Sequence, residues 1–362
     1  MRRLLRPLAG LAVGLLAAEV AVRLLVFAPG VTERMLRVQW ADTAAQLHWY
    51  RGWLVAWSRS RSPDSGGTWE DTAFDPLLGW VPRAGFADID ARGLRDAGLP
   101  RSEGARRVVV VGDSFAFGSD VRVDEAWHGV LEARRPDLDM MVLAGPGYGL
   151  DQVTLRTERD APALQPEVVL LPGIGIDIPR ALTGFISYAK PRFTLEAGEL
   201  VLHGPPLPGP HEMLRHVALR PRLVDLATVL AERQAWHNVL EGPRGAEAFA
   251  INEALLDRWA RAVREMGALP VFVALPTPHE LAQLRDGRTQ SADELARHFF
   301  ARWCARQDFP CLDRVGEVMD RTPDLQTVGQ TGHWTVSGNV VVADVVEQVL
   351  IDLALLPPTP PP

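Results

Sequence analysis

The chain has 362 residues, 47% of them apolar and 23% charged, with a net charge of −7. This length suits one large domain or two; the composition excludes a disordered chain and a polytopic membrane protein, and the acidic balance offers nucleic acid no electrostatic footprint. All but one of the 38 basic residues are arginine, the exception being Lys190, and two cysteines are too few for a disulfide scaffold and lack zinc-type spacing with histidines.

The N-terminus MRRLLRP leads into Leu8 to Ala28, apolar except for Glu19 and Arg23. As a helix this stretch is about 31 Å long, close to a bilayer's hydrocarbon thickness, so residues 1–30 read as a single transmembrane anchor with the arginines cytoplasmic and the remainder outside. Glu19 and Arg23 stand four apart and pair on one helix face. A cleaved signal peptide with Leu8 to Ala18 as its apolar core is the competing reading, although no A-x-A site follows, and a buried amphipathic helix is the third. Residues 31–68 read as a helical neck bearing Trp40, Trp53 and Trp57, then a turn-rich linker from Ser58 to Gly67.

From residue 69 to 355 short apolar runs alternate with helical patterns, ahead of a Pro-rich tail over 356–362. Strands are expected at Arg107 to Val111, Met140 to Leu143, Glu167 to Leu171 and Pro270 to Leu275. Helices are expected at Asp124 to Arg134, Leu150 to Leu164, Ala246 to Gly267, Ser291 to Gln307 and Val336 to Leu355. Such alternation implies a parallel sheet with functional residues at the carboxyl ends of its strands. The segment over about 179–245, rich in proline and polar turns, reads as an insertion beside that site. Cys304 and Cys311 form a disulfide in an oxidising compartment or remain buried thiols in a reducing one.

The most informative stretch is RVVVVGDSFAFG, Arg107 to Gly118, in which an apolar strand ends directly in Gly112, Asp113 and Ser114. A hydroxyl there projects into the crevice at the strand end, and the next helix offers N–H groups to a developing oxyanion. The same residues also suit a plain turn with a helix cap. Near the C-terminus, TGHWTVSGNVVVADVV places His333 before the closing helix. A neutral imidazole within reach of a serine removes its proton as attack proceeds.

These blocks resemble the SGNH (GDSL-type) hydrolases. MMVLAGPGYGLDQ, Met140 to Gln152, is similar to the second block of that family, and FDPLLGW, ARGLRD (Ala91 to Asp96) and KPRFTLEAGELVL look like segments of its membrane-anchored bacterial members. The resemblance implies a flavodoxin-like three-layer α/β sandwich around a central parallel sheet. It implies Ser114 as nucleophile and His333 as general base, with the backbone N–H groups of Ser114 and Gly145 (or Ala144) binding the oxyanion. The activity implied is hydrolysis or transfer of ester-linked acyl groups of envelope saccharides or lipids, in the periplasm of a bacterium, without metal or other cofactor. Protein partners are not implied, and nucleic acid is not a partner.

Three positions break the pattern. The family's oxyanion Asn is replaced by Ile176, its leading Asn in the second block by Val142, and the acid two or three residues before the histidine by Thr331 and Gln330. Asp113, Asp177, Asp313 and Asp324 are candidates to support the site through space, or a backbone carbonyl holds the imidazole and a Ser–His dyad operates. The alternative is a binding module for an acylated saccharide or lipid that keeps the fold and cleft without hydrolysis. GPGYG, Gly145 to Gly149, lacks the spacing of a phosphate loop, and His203, His211 and His216 lack metal-ligand spacing.

Overall fold

The computed structural model describes residues 2–26, 72–184, 186, 188–209, 212, 221–224, 226–227, 239–287, 291–322 and 332–358. In chain order its elements are helix α1 (Arg2–Ala21), strands β1 (Thr72–Asp75), β2 (Gly79–Pro82) and β3 (Arg106–Val110), helices α2 (Ser114–Phe117) and α3 (Trp127–Arg134), and strand β4 (Leu138–Val142). Helix α4 (Leu150–Asp160), strand β5 (Val168–Gly173), helix α5 (Asp177–Arg180), the strands β6 (Arg192–Glu196) and β7 (Glu199–His203), and helix α6 (Gly245–Glu265) follow. The chain closes with β8 (Leu269–Ala274), α7 (Pro278–Arg285), α8 (Ser291–Cys304), β9 (Cys311–Asp313), α9 (Val315–Arg321) and α10 (Val336–Asp352).

Five of these strands form one parallel sheet in the order β4-β3-β5-β8-β9. Val108 to Val110, Val168 to Leu171 and Val271 to Val273 are fully buried, as β-branched and aliphatic runs are when helices cover both faces of a parallel sheet. Alternation sorts them: Val109, Val169, Leu171 and Phe272 join the core with Leu255 and Trp259 of α6 and Trp303 of α8. Val108, Val110, Leu170 and Val273 join the other, with Leu131 of α3 and Val342 and Val346 of α10. Helix, sheet and helix therefore make the three expected layers. The sheet's direction of winding reverses between β3 and β5, and their carboxyl ends open the crevice at which doubly wound sheets bind ligands.

The elements expected from apolar runs appear within a few residues of their expected bounds. The sequence reading missed the hairpins β1–β2 and β6–β7, the three-residue edge strand β9 and the short helices α7 and α9. Strands β6 and β7 turn through Ala197 and Gly198, at φ 53° and 89°, a pair of left-handed residues that matches strand twist. Lys190, at the base of this hairpin, is fully buried; its Nζ pairs with Asp151 and donates to the carbonyls of Thr183 (3.0 Å), Pro191 (3.1 Å) and Arg180 (3.2 Å). Cys304 and Cys311 are joined in a disulfide between the end of α8 and β9.

The expected transmembrane anchor is not found: among the described residues no helix is long and apolar enough to cross a membrane. The uncharged run between Arg6 and Glu19 amounts to only about 18 Å of helix, short of a hydrocarbon core near 30 Å. Glu19 does pair with Arg23 at 2.6 Å, and it also accepts from the backbone N–H groups of Arg222 and Leu223 at 2.8 Å each, tying α1 to the insertion. Leu11, Val13, Leu15, Leu16, Leu24 and Leu25 are exposed. The expected neck and linker, Asp324, Gln330, Thr331 and much of the 179–245 insertion lie outside the described residues.

Candidate active site

Strand β3 delivers the serine. Val111 N–H still donates to Leu170 O (2.9 Å), and the chain then turns at Gly112, φ 149°, where a Cβ would stand 2.6 Å from the Ala116 Cβ. Asp113 caps α2 by accepting from Phe115 N–H (2.8 Å), which leaves Ser114 at the first position of that helix, 5% exposed. The N–H of Ser114 has no partner among the described residues and is free for an oxyanion.

Helix α10 delivers the histidine. Thr335 caps it, and Asn339 holds the preceding turn by donating to Trp334 O (3.2 Å) and Thr335 O (3.0 Å) while accepting from Trp127 N–H (3.0 Å). Phe115 packs against both the His333 ring (centroids 4.9 Å) and Trp334 (5.0 Å). So placed, His333 Nε2 lies 2.8 Å from Ser114 Oγ, 219 residues away in sequence.

The other imidazole nitrogen meets an acid that the sequence reading did not name. His333 Nδ1 lies 2.8 Å from Asp120 Oδ2, which assigns the proton to Nδ1 and leaves Nε2 to accept from the serine hydroxyl. Asp120 sits three residues past the end of α2, in left-handed backbone at φ 70° that aspartate tolerates better than most side chains. The only sequence signal was an Asp in the polar turn Gly118-Ser119-Asp120 directly after the serine helix.

The acids named from sequence do different work. Asp113 and Asp177 are fully buried and share Arg180 Nη1, at 2.8 and 2.9 Å, beneath the serine turn, and neither is bonded to His333. Burial, and then the neighbouring Asp113, push the Asp177 carboxyl well above the usual carboxylate range against the pull of Arg180. A proton retained on Asp177 leaves one negative charge to match the guanidinium. Arg180 also donates to Tyr148 O (3.1 Å), joining the serine turn to the turn after β4. Asp313 accepts from Val315 N–H at the start of α9.

The oxyanion side is sparse. Gly145 N–H donates to Gly112 O at 3.0 Å, so the role expected of Gly145 is not met in this geometry: the turn after β4 is stitched to the serine turn through that very group. In the same turn Gly147 has an N–H without a partner among the described residues. Ile176, half-buried at the start of α5, has no hydrogen-bond donor to offer from its side chain. Among the described residues there is no cluster of His, Cys, Asp and Glu able to hold a metal ion.

Fold and site together define a doubly wound α/β protein with a serine, histidine and aspartate hydrogen-bonded in series at its switch point. No known family's profile and no curated protein sequence matches the chain. Among solved structures it is similar to TesA (15% identity, 68% of this chain and 99% of that one, TM-score 0.41). It is also similar to the psychrotrophic esterase EstA from Pseudoalteromonas sp. (8%, 69% and 100%, 0.41) and to the acetyl xylan esterase AlAXEase (12%, 68% and 100%, 0.40). At these scores the likeness establishes neither family nor activity.

Proposed function

We propose that the protein is an SGNH-type serine hydrolase or acyltransferase acting on ester-linked acyl groups. The observation that carries this reading is the 2.8 Å approach of His333 Nε2 to Ser114 Oγ with Asp120 on the opposite nitrogen. As Ser114 Oγ bonds to the ester carbonyl carbon, its proton passes to His333 Nε2. The tetrahedral intermediate then expels the alcohol, which takes that proton, and leaves Ser114 acylated. Water or an acceptor hydroxyl, deprotonated by His333, attacks the acyl carbon and returns Ser114 to its free form. Asp120 fixes the tautomer and balances the imidazolium.

With Ile176 in place of an amide donor the oxyanion relies on backbone N–H groups, of which those of Ser114, Ala144 and Gly147 have no partner among the described residues. One missing donor typically costs about 10²–10³ in rate, so a slow enzyme is expected. Resemblance to envelope-associated members suggests acylated saccharides or lipids as substrates, in the periplasm of a bacterium. The Cys304–Cys311 bridge supports an oxidising compartment, and the exposed apolar side chains of α1 support contact with lipid.

The test incubates the full chain with a fluorophosphonate probe and with short-chain p-nitrophenyl esters, beside Ser114→Ala and His333→Ala. Labelling and turnover in the wild type, abolished in Ser114→Ala and lost in His333→Ala, are expected. A folded wild type that neither labels nor turns over would refute the reading and favour the binding module.

A further inference from the structure

The segment ARGLRD, Ala91 to Asp96, lies well before the serine motif and contributes no side chain to the Ser114–His333–Asp120 series. Its Arg95 is nonetheless 4% exposed and fully engaged around the serine loop. Arg95 N–H donates to Val142 O (3.2 Å), fixing its backbone to the end of the edge strand β4. From there the guanidinium Nη1 donates to Phe117 O (2.7 Å) and Gly118 O, Nη2 to Val121 O (2.7 Å), and Nε to Asp88 (2.7 Å), with the plane lying 4.6 Å from the Phe117 ring centre. Its three carbonyl partners stand on both sides of Asp120.

Asp120 needs such help. Its side chain is 35% exposed, and among the described residues its carboxylate bonds to His333 alone. Its position is therefore set by the backbone of the turn, in a left-handed conformation that the turn must maintain. A guanidinium is a rigid planar fork whose three nitrogens reach separated acceptors in one fixed plane, whereas an ammonium donates from a single point. His128 Nε2 also donates to Phe117 O (3.1 Å) and steadies the near side only.

We infer that Arg95 is a positioning residue of the active site: by clamping the carbonyls of Phe117, Gly118 and Val121 it holds Asp120 where its carboxylate orients His333. The serine and the acid then ride on one loop pinned from the preceding segment, and the histidine alone arrives from the C-terminal part of the chain. The inference rests on the hydrolase reading and adds a residue that acts only through Asp120.

The test measures kcat and KM for p-nitrophenyl acetate in the full-length wild type, Arg95→Met, Arg95→Lys, Asp120→Asn and Arg95→Met/Asp120→Asn, each normalised to fluorophosphonate-labelled sites so that unfolded protein is not counted. A displacement of about 1 Å costs on the order of 10²-fold, so Arg95→Met is expected to lower kcat by about that factor with KM within about twofold. Arg95→Lys is expected to fall between, and to serve for the same cycle in place of Arg95→Met if that variant does not fold. The double variant is expected to be no slower than Asp120→Asn, because the clamp has nothing left to hold. Losses that multiply in the double variant, or a normalised kcat equal to wild type in Arg95→Met, would overturn the inference alone. A wild type without labelling or turnover would instead overturn the hydrolase reading on which it stands.

Discussion

Replacing Lys190 by methionine removes the chain's only lysine from a fully buried site. Lys190 and Asp151 are both fully buried, and Lys190 Nζ also serves three carbonyls. Breaking such a pair from one side leaves a buried charge uncompensated, which costs about 3–5 kcal/mol, or roughly 6–10 °C in Tm for a domain of this size. Burial already raises the Asp151 carboxyl above its usual range, with Lys190 pulling it down; without Lys190 it rises further. A raised folded-state value means stability is lost as pH rises through it, so the deficit of Lys190→Met is expected to be larger at pH 8 than at pH 5. Asp151→Leu in the same chain removes the stranded charge and is expected to recover about 2–3 kcal/mol, with the remainder lost to the carbonyls of Thr183 and Pro191, which Lys190 served. Urea denaturation at both pH values reads the free energies, and thermal unfolding reads the Tm. A single-variant loss below about 1 kcal/mol, or a double variant no more stable than Lys190→Met, would refute the reasoning.

Two further expectations concern pH. Burial, with Arg95 adding repulsion, pushes His128 down to about 4, so the folded state holds it neutral. Its contribution is present above the unfolded value near 6.5 and lost as pH falls through about 4, a change of about 3 kcal/mol. Chemical denaturation between pH 7 and 4 is expected to show that slope in the wild type and not in His128→Gln; equal slopes would contradict it. Glu280 is the opposite case: burial, and then Asp293, raise it to about 7, and its Oε1 lies 3.3 Å from Arg297 Nε without a hydrogen bond. Its contribution is present below the unfolded value near 4.5 and lost as pH rises through about 7. Glu280→Gln is therefore expected to gain about 2 kcal/mol on the wild type at pH 8 and nothing near pH 4.5, read as Tm at each pH. A gain that is the same at both would exclude titration of Glu280 as its cause.

The central strands were legible because a strand buried on both faces needs a short unbroken apolar run, as in Val108 to Val111 and Val168 to Leu171, and little else in a chain has that form. Ser114 and His333 were legible for a related reason: each directly adjoins a strongly patterned element, β3 on one side and α10 on the other. The hairpin β6–β7 carried a readable signal in the alternation of RFTLE and ELVLH around Ala197-Gly198. The edge strand β9, three residues long, carried too little pattern to register.

Asp120 was not legible, because any of several aspartates satisfies the chemistry and sequence contains no distance. Asp113 and Asp177 were equally plausible until burial tied both to Arg180. The expectation for Gly145 failed in the same way, since sequence shows that a residue has an N–H but not which carbonyl that N–H has already met. Local pattern determined the elements, their order and the two residues at element ends that face the crevice, because propensity and periodicity act over a few residues. The acid partner, the buried Lys190–Asp151 pair and the grip of Arg95 on the serine loop were decided only by tertiary structure, since each depends on which polar groups, distant in sequence, folding brings within 3 Å of one another.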